Sequence, residues 1–495
     1  MIHLHEDTTH ATLNAILGAQ LVITLVAVSV IQKLSPYYSL ARWLLCSTGL
    51  TRYLYPTNSE LRALIKIPKK NKKSGSKNEN GKAAIDKFFI PKNLNIELES
   101  IKVVSQDIRY LRYFIDYQWF VDFSMYATIV YTLTEIYSYY FSIQNELNLS
   151  MLWCLIVQGF ALKIILSMTA EYFKGQESIG ERSTIIVTAF SYLVLVMMVL
   201  IVDESKLETG LDAAYSNFSA GATQFLKNQQ FPSQGPASKL ILKFCLAIWS
   251  SIIGAVFVFP GLRLARMHWD SLKYCHERKV LQIVLHLNFI SPLILVLLWI
   301  RPISHDYLTV RIFSGMSKPL LTIESFESLR LILVVVSMLL RLCIMPIYLQ
   351  AYLNMAYERT QALKNEAGKI SNIDLQKKIA SVFYYMCVVA LQYVIPLVMC
   401  LFFSFMYKTF GCYTWTELFV GSTTNNQTTS KFENIQNVTV GEQEQFQKFV
   451  FGSLSQIFTK EVYRGVLGFA TWWTCFTWFI SSSVGLLYHI SFRKR

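Results

Sequence analysis

The sequence predicts an all-α, polytopic membrane helical bundle of about nine transmembrane helices, with its N-terminus outside and its C-terminus cytoplasmic. Three observations predict it. Of 495 residues, 53 % are hydrophobic and only 16 % charged, against about 45–50 % and about 25 % in soluble proteins. That balance excludes a disordered chain and a string of soluble domains. Nine stretches reach the roughly 20 apolar residues that a spanning helix needs: 12–31, 119–142, 149–173, 183–202, 240–260, 281–300, 328–350, 379–408 and 465–489. Finally, basic residues and glycosylation sequons fall on opposite sides of one topology. With the N-terminus outside, the inside segments hold 31 Lys and Arg and the outside segments 10, the asymmetry expected of cytoplasmic loops. The net charge of +14 therefore reports orientation, and nucleic acid is not an expected partner.

The first span follows residues 1–11, which contain no Lys or Arg, and precedes Lys33 and Arg42. That order suits a reverse signal-anchor; a cleaved signal peptide is the alternative. The tail holds His3, His5 and His10; a free amino terminus followed by His at position three can hold Cu(II), although a frayed polar terminus is the simpler reading and no metal or cofactor is expected. Residues 32–118 form a cytoplasmic loop. Between Pro36 and Pro56, Leu40, Trp43, Leu44 and Leu54 recur near helical spacing, which reads either as an interfacial helix or as a helix packed under the bundle. Lys66 to Lys82 is a Lys/Asn-rich linker that cannot bury enough surface to fold and is attracted to anionic inner-leaflet lipid.

Spans two to eight (119–408) make the bundle, and an outside loop, 409–464, leads to the ninth span and a basic tail, 465–495. The sequons are Asn148, Asn217, Asn426 and Asn437. All four fall in segments that the charge count places outside, where N-glycosylation occurs. The nine cysteines form no CxxC pair, so neither a zinc site nor a disulfide framework is expected. No P-loop, GxSxG or HExxH pattern occurs, and the chain is expected not to be an enzyme. Tandem repeats and paired broken spans are also missing.

Intramembrane polar residues are the candidate functional groups, because they are costly in lipid. Asp122, Glu171, Lys243, Arg330 and Lys408 lie near span ends and are expected to stay wet or snorkel. Glu135, Lys163 and Arg341 lie too deep for that, and His286, Asn288 and Gln392 join them in spans six and eight. Pro292, Pro346 and Pro396 free helix carbonyls that need other donors. The group reads either as the lining of a permeation path or as interhelical glue, and the shortage of repeated acidic sites favours glue. Glu135 is offset from Lys163 and Arg341, so at least one of these cations is expected to contact helix carbonyls or a wet cavity.

Several runs add up to a resemblance over nearly the whole chain: 20–26, Tyr38 to Cys46, Tyr117 to Phe123, Phe259 to Ala265, Glu366 to Ser371 and Ala390 to Met399. They resemble the transmembrane protein 161 family; the N-terminal ten residues, the Lys/Asn linker and 421–440 depart from it. The resemblance implies a multi-pass, glycosylated protein without known enzymatic activity. It also implies regulation of potassium and calcium currents, as in heart rhythm, and protection against oxidative stress; ion-channel proteins are the expected partners. The expected location is the cell membrane, with the endoplasmic reticulum as alternative.

Overall fold

The computed structural model describes residues 19–34, 37–65, 88–91, 97–140, 148–174, 179–228, 238–314, 318–365, 370–415 and 457–493. His3, His5, His10, the Lys66 to Lys82 linker, Asn426 and Asn437 lie outside the described residues. Helices dominate. In chain order they are α1 (Ala19–Leu34), α2 (Leu40–Cys46), α3 (Asn58–Ile65), α4 (Ser105–Ile108), α5 (Phe114–Tyr140), α6 (Leu149–Lys174), α7 (Ile179–Ile201) and α8 (Leu211–Asn228). Then come α9 (Lys239–Val256), α10 (Val258–Tyr274), α11 (Lys279–Leu297), α12 (Ile323–Asn365), α13 (Asn372–Tyr384), α14 (Met386–Phe410) and α15 (Lys460–Arg493). Two small antiparallel ribbons pair Thr51–Tyr53 with Ser100–Lys102, and Phe89–Ile90 with Ile370–Ser371.

Six segments are long and apolar enough to cross a membrane: Leu149–Lys174, Gly180–Ile201, Lys239–Tyr274, Lys279–Leu297, Ile323–Ala362 and Asn372–Phe410. They coincide with predicted spans three to eight. The other three predicted spans fall on α1, α5 and α15. The six candidate spans have outward faces that suit lipid, with Phe190 at 65 % and Val187 at 59 % exposure on α7. We call the end of the bundle where α6, α12 and α15 begin the upper end.

At the centre stands α14, whose residues are buried without interruption from Met386 to Cys400. A helix apolar on every side belongs in the middle of a bundle, and α5, α6, α10, α12 and α15 surround this one. The tightest crossing is α10 on α15. A Cβ on Gly261 would lie 2.3 Å from the Ser481 Cβ, and one on Gly485 would lie 2.9 Å from the Ala265 Cβ. Small residues let membrane helices approach closely and so gain dispersion contact.

Three expectations need correction. The 261–280 segment, predicted as a cytoplasmic loop, is mostly α10, with His268 and Asp270 buried. Arg263 and Arg266 dilute its hydropathy, but burial against α12 and α15 makes it part of the bundle. The 203–239 segment, predicted as an outside loop, contains the amphipathic helix α8, docked on α15. The helix predicted between Pro36 and Pro56 is limited to α2, with Ala41, Leu44 and Leu45 buried under the bundle; Trp43 is the exposed residue.

Candidate functional site

The deepest polar group is Arg341, 1 % exposed and about 27 Å along α12 at 1.5 Å per residue. Its Nη2 donates to the Asn288 carbonyl at 2.8 Å and its Nε to Ser291 Oγ at 3.3 Å. The guanidinium also lies over the Trp478 ring, 4.1 Å from its centroid. This carbonyl is open for a reason written in the sequence. Its helical donor would be the N–H of residue 292, and Pro292 has none. The Ser291 hydroxyl donates to the carbonyl from within α11 at 2.9 Å, and Arg341 adds a charged donor from a neighbouring helix.

The cluster extends from there. Asn288 Nδ2 donates to the Tyr348 hydroxyl at 3.2 Å, which meets His268 Nδ1 at 3.1 Å. The Tyr393 hydroxyl donates to the Arg341 carbonyl at 2.7 Å. Five helices (α10, α11, α12, α14 and α15) thus meet at one polar core, where Asn288 is fully buried. Among the described residues no carboxylate pairs with Arg341, and its Nη1 and the Asn288 Oδ1 lack hydrogen-bond partners. Next to the core, Cys400 and Cys475 bring their Sγ atoms to 3.2 Å between α14 and α15. Among the described residues, no group of three or more His, Cys, Asp or Glu is placed to hold a metal ion.

A second polar group closes the upper end. Arg330, 1 % exposed, pairs with Glu327 and Glu208, each at 2.9 Å, and donates to the Leu298 carbonyl at 3.2 Å. Trp299 and Phe326 flank its guanidinium, and the Tyr407 hydroxyl donates to Glu327 at 3.2 Å. Breaking one partner of such a buried pair costs about 3–5 kcal/mol. Glu135 forms an ion pair with Lys408, and Thr409 Oγ1 donates to the same carboxylate at 3.4 Å.

The expectation that span-end charges stay wet needs correction at three positions. Arg330 is dry because α12 starts above the apolar run and is roofed by Glu208 and Trp299. Asp122 is buried, accepting from Ser39 Oγ at 2.6 Å and the Ala41 amide at 3.0 Å, so that it anchors α2. Lys408 turns to Glu135. Lys243 and Glu171 do sit at helix ends, the first on Asp212 and the Leu200 carbonyl, the second on Arg112 and Lys174.

The deep residues divide in the same way. Arg341 and Asn288 lie in the core, and Gln392 is buried on α14 with its Oε1 unpaired among the described residues. Lys163 and His286 instead lie on outward faces, although the His286 ring is 5.5 Å from that of His268. His268, Ser291, Tyr348, Tyr393 and Trp478 were not singled out by sequence. Only the proline-freed Asn288 carbonyl could have pointed to their neighbourhood. Of the sequons, Asn148 caps α6, its Oδ1 accepting from the Ser150 amide at 3.2 Å, and Asn217 lies exposed on α8.

Apolar helices around a knot of mutually bonded polar side chains define a multi-pass α-helical membrane protein whose spans contact lipid. The family model described as predicted transmembrane protein 161AB matches residues 15–493. The chain belongs to that family. No solved structure matches it.

Proposed function

We propose that the protein is a non-enzymatic, nine-span cell-membrane regulator of potassium and calcium currents, acting through contacts with channel proteins and their surrounding lipid. The observation supporting regulation rather than conduction is the use of the core polar groups. Arg341, Asn288, Tyr348 and His268 are buried in the bundle and bond to one another and to helix backbone. An ion pathway needs polar groups that face water. The identity of the currents rests on the family resemblance. Purified protein in liposomes should pass neither potassium nor calcium. Ion flux without a partner would overturn the regulator reading in favour of a channel or transporter. That second reading draws its support from Arg341 Nη1 and Asn288 Oδ1, two orphan atoms a water molecule would satisfy. Surface biotinylation tests location: wholly immature glycans and no surface pool would point to the endoplasmic reticulum.

The proposed topology places the upper end outside and the Lys66 to Lys82 linker against anionic inner-leaflet lipid. Asn217, Asn426 and Asn437 should then carry glycans, and single Asn→Gln changes there should each shift electrophoretic mobility. Asn148→Gln should not, because Asn148 lies at the very start of α6. A shift from Asn148 alone would overturn both the distance argument and the loop assignments.

A further inference from the structure

The outward face of α6 carries Ile156, Gly159, Lys163, Leu166, Ser167 and Ala170, all exposed along one helical stripe. Lys163 lies 14 residues from Leu149 and 11 from Lys174, so about 21 Å and about 17 Å from the two ends of the helix. The nearest charged residue of α6, Glu171, is eight residues away, about 12 Å, still beyond what a four-carbon stem reaches. Among the described residues, no hydrogen bond or ion pair engages its ammonium. A lone cation facing lipid at this depth is costly and marks an interaction.

This chain offers that cation no match from a second copy. The carboxylates inside the predicted spans are already engaged: Asp122 by Ser39 and Ala41, Glu135 by Lys408, and Glu171 by Arg112 and Lys174; Asp116, Glu181 and Glu324 lie in the first turns of their helices, far from mid-membrane. Beside Lys163 the surface of α6 is low. A Cβ on Gly159 would meet nothing within 4 Å, and Ser167 and Ala170 are also small. A narrow apolar hollow bounded by Leu166, Trp249 and Ile252 runs between α6 and α9. Small residues admit close helix approach, and a polar pair then fixes the register.

We infer that Lys163 and the small-residue stripe around it form a docking site for a transmembrane helix of another protein that carries one Asp or Glu near mid-membrane. The inference rests on the regulator reading and names the chemistry of its partner.

The test uses purified full-length protein in phosphatidylcholine nanodiscs and a labelled, Leu-rich single-span peptide with one central Asp. The reference peptide has Leu at that position. By fluorescence transfer, the wild-type protein should favour the Asp peptide roughly tenfold, the scale of polar helix–helix contacts in lipid. Lys163→Leu should remove the preference with no loss of thermal stability, since the residue faces lipid, and Lys163→Arg should keep it. Equal binding of the two peptides, or a preference that survives Lys163→Leu, overturns the site. In nanodiscs containing phosphatidylserine the preference should persist; its disappearance would assign Lys163 to anionic lipid headgroups and also overturn the site. Current recordings of Lys163→Leu in cells separate the two readings. Peptide preference without any effect on currents refutes regulation through this contact and leaves the site standing. No preference, with currents still dependent on the protein, refutes the site and leaves regulation standing.

Discussion

Arg341→Leu is expected to lower the thermal stability and folded yield of the detergent-purified protein, and adding Pro292→Ala is expected to restore much of the loss. Leucine cannot donate to the Asn288 carbonyl or to Ser291 Oγ, which Arg341 now serves. The carbonyl keeps the Ser291 hydroxyl, which donates to it at 2.9 Å, so the loss is that of hydrogen bonds from a charged donor, about 1.5–3 kcal/mol. Removing a buried cation recovers desolvation energy, but in lipid the unfolded reference keeps Arg341 in an apolar medium too, so the recovery is partial. Pro292→Ala gives residue 292 an amide able to bond the carbonyl within α11, and the double variant should therefore beat the sum of the singles by about 1 kcal/mol. Arg341→Lys should fall between, because one ammonium replaces a planar fork of donors. Strict additivity of the two substitutions would show that supplying this carbonyl is not the work Arg341 does.

Gly261→Ala should be at least as damaging, although it adds a single methyl group. The new Cβ would meet the Ser481 Cβ at 2.3 Å and backbone atoms of Ser481 and Ser482 at 2.8 and 2.9 Å. No rotamer relieves a clash made by Cβ itself against backbone, so α10 and α15 must separate. Overpacking costs about 1–3 kcal/mol where side chains can give way, and here the upper part of that range or more is expected. Gly159→Ala is the control: its Cβ enters open space, and alanine is the better helix former by about 1 kcal/mol. Size-exclusion profiles and melting curves of both variants check the pair. A Gly261→Ala protein that melts like wild type would mean that the crossing is looser than described.

The bundle was legible in sequence to the extent that single segments carry the signal. Predicted spans three to eight need only their own hydropathy, and each lies on a helix of sufficient length. Glu135, Asn288, Arg341 and Gln392 stand out because a polar residue in an apolar run is conspicuous without a structure. Their partners do not stand out. Lys408 and Glu135 are 273 positions apart, and only the packing of α5 against α14 joins them. His268 was missed because Arg263, Arg266 and Asp270 give its segment the composition of a cytoplasmic loop, whereas salt bridges from Arg266 and Lys273 to Asp270 allow it to pack as a helix. Arg330 and Asp122 were misjudged because distance to a span end predicts wetness only if nothing covers that end. Here Glu208 with Trp299, and Ser39 with α2, cover them.

The continuous burial of α14 from Met386 to Cys400 has a bearing on biogenesis. The ribosome emits this segment after α1 to α13, at about 5–20 residues per second. Helices already inserted must wait for it in an open arrangement, with Tyr348 and the Arg341 carbonyl lacking the Tyr393 partner that arrives with α14. The ninth predicted segment follows later still, and only then does Arg341 gain the Trp478 ring. Ordering of the early helices is therefore a late event, and nascent chains truncated before α14 should be held by membrane chaperones or degraded.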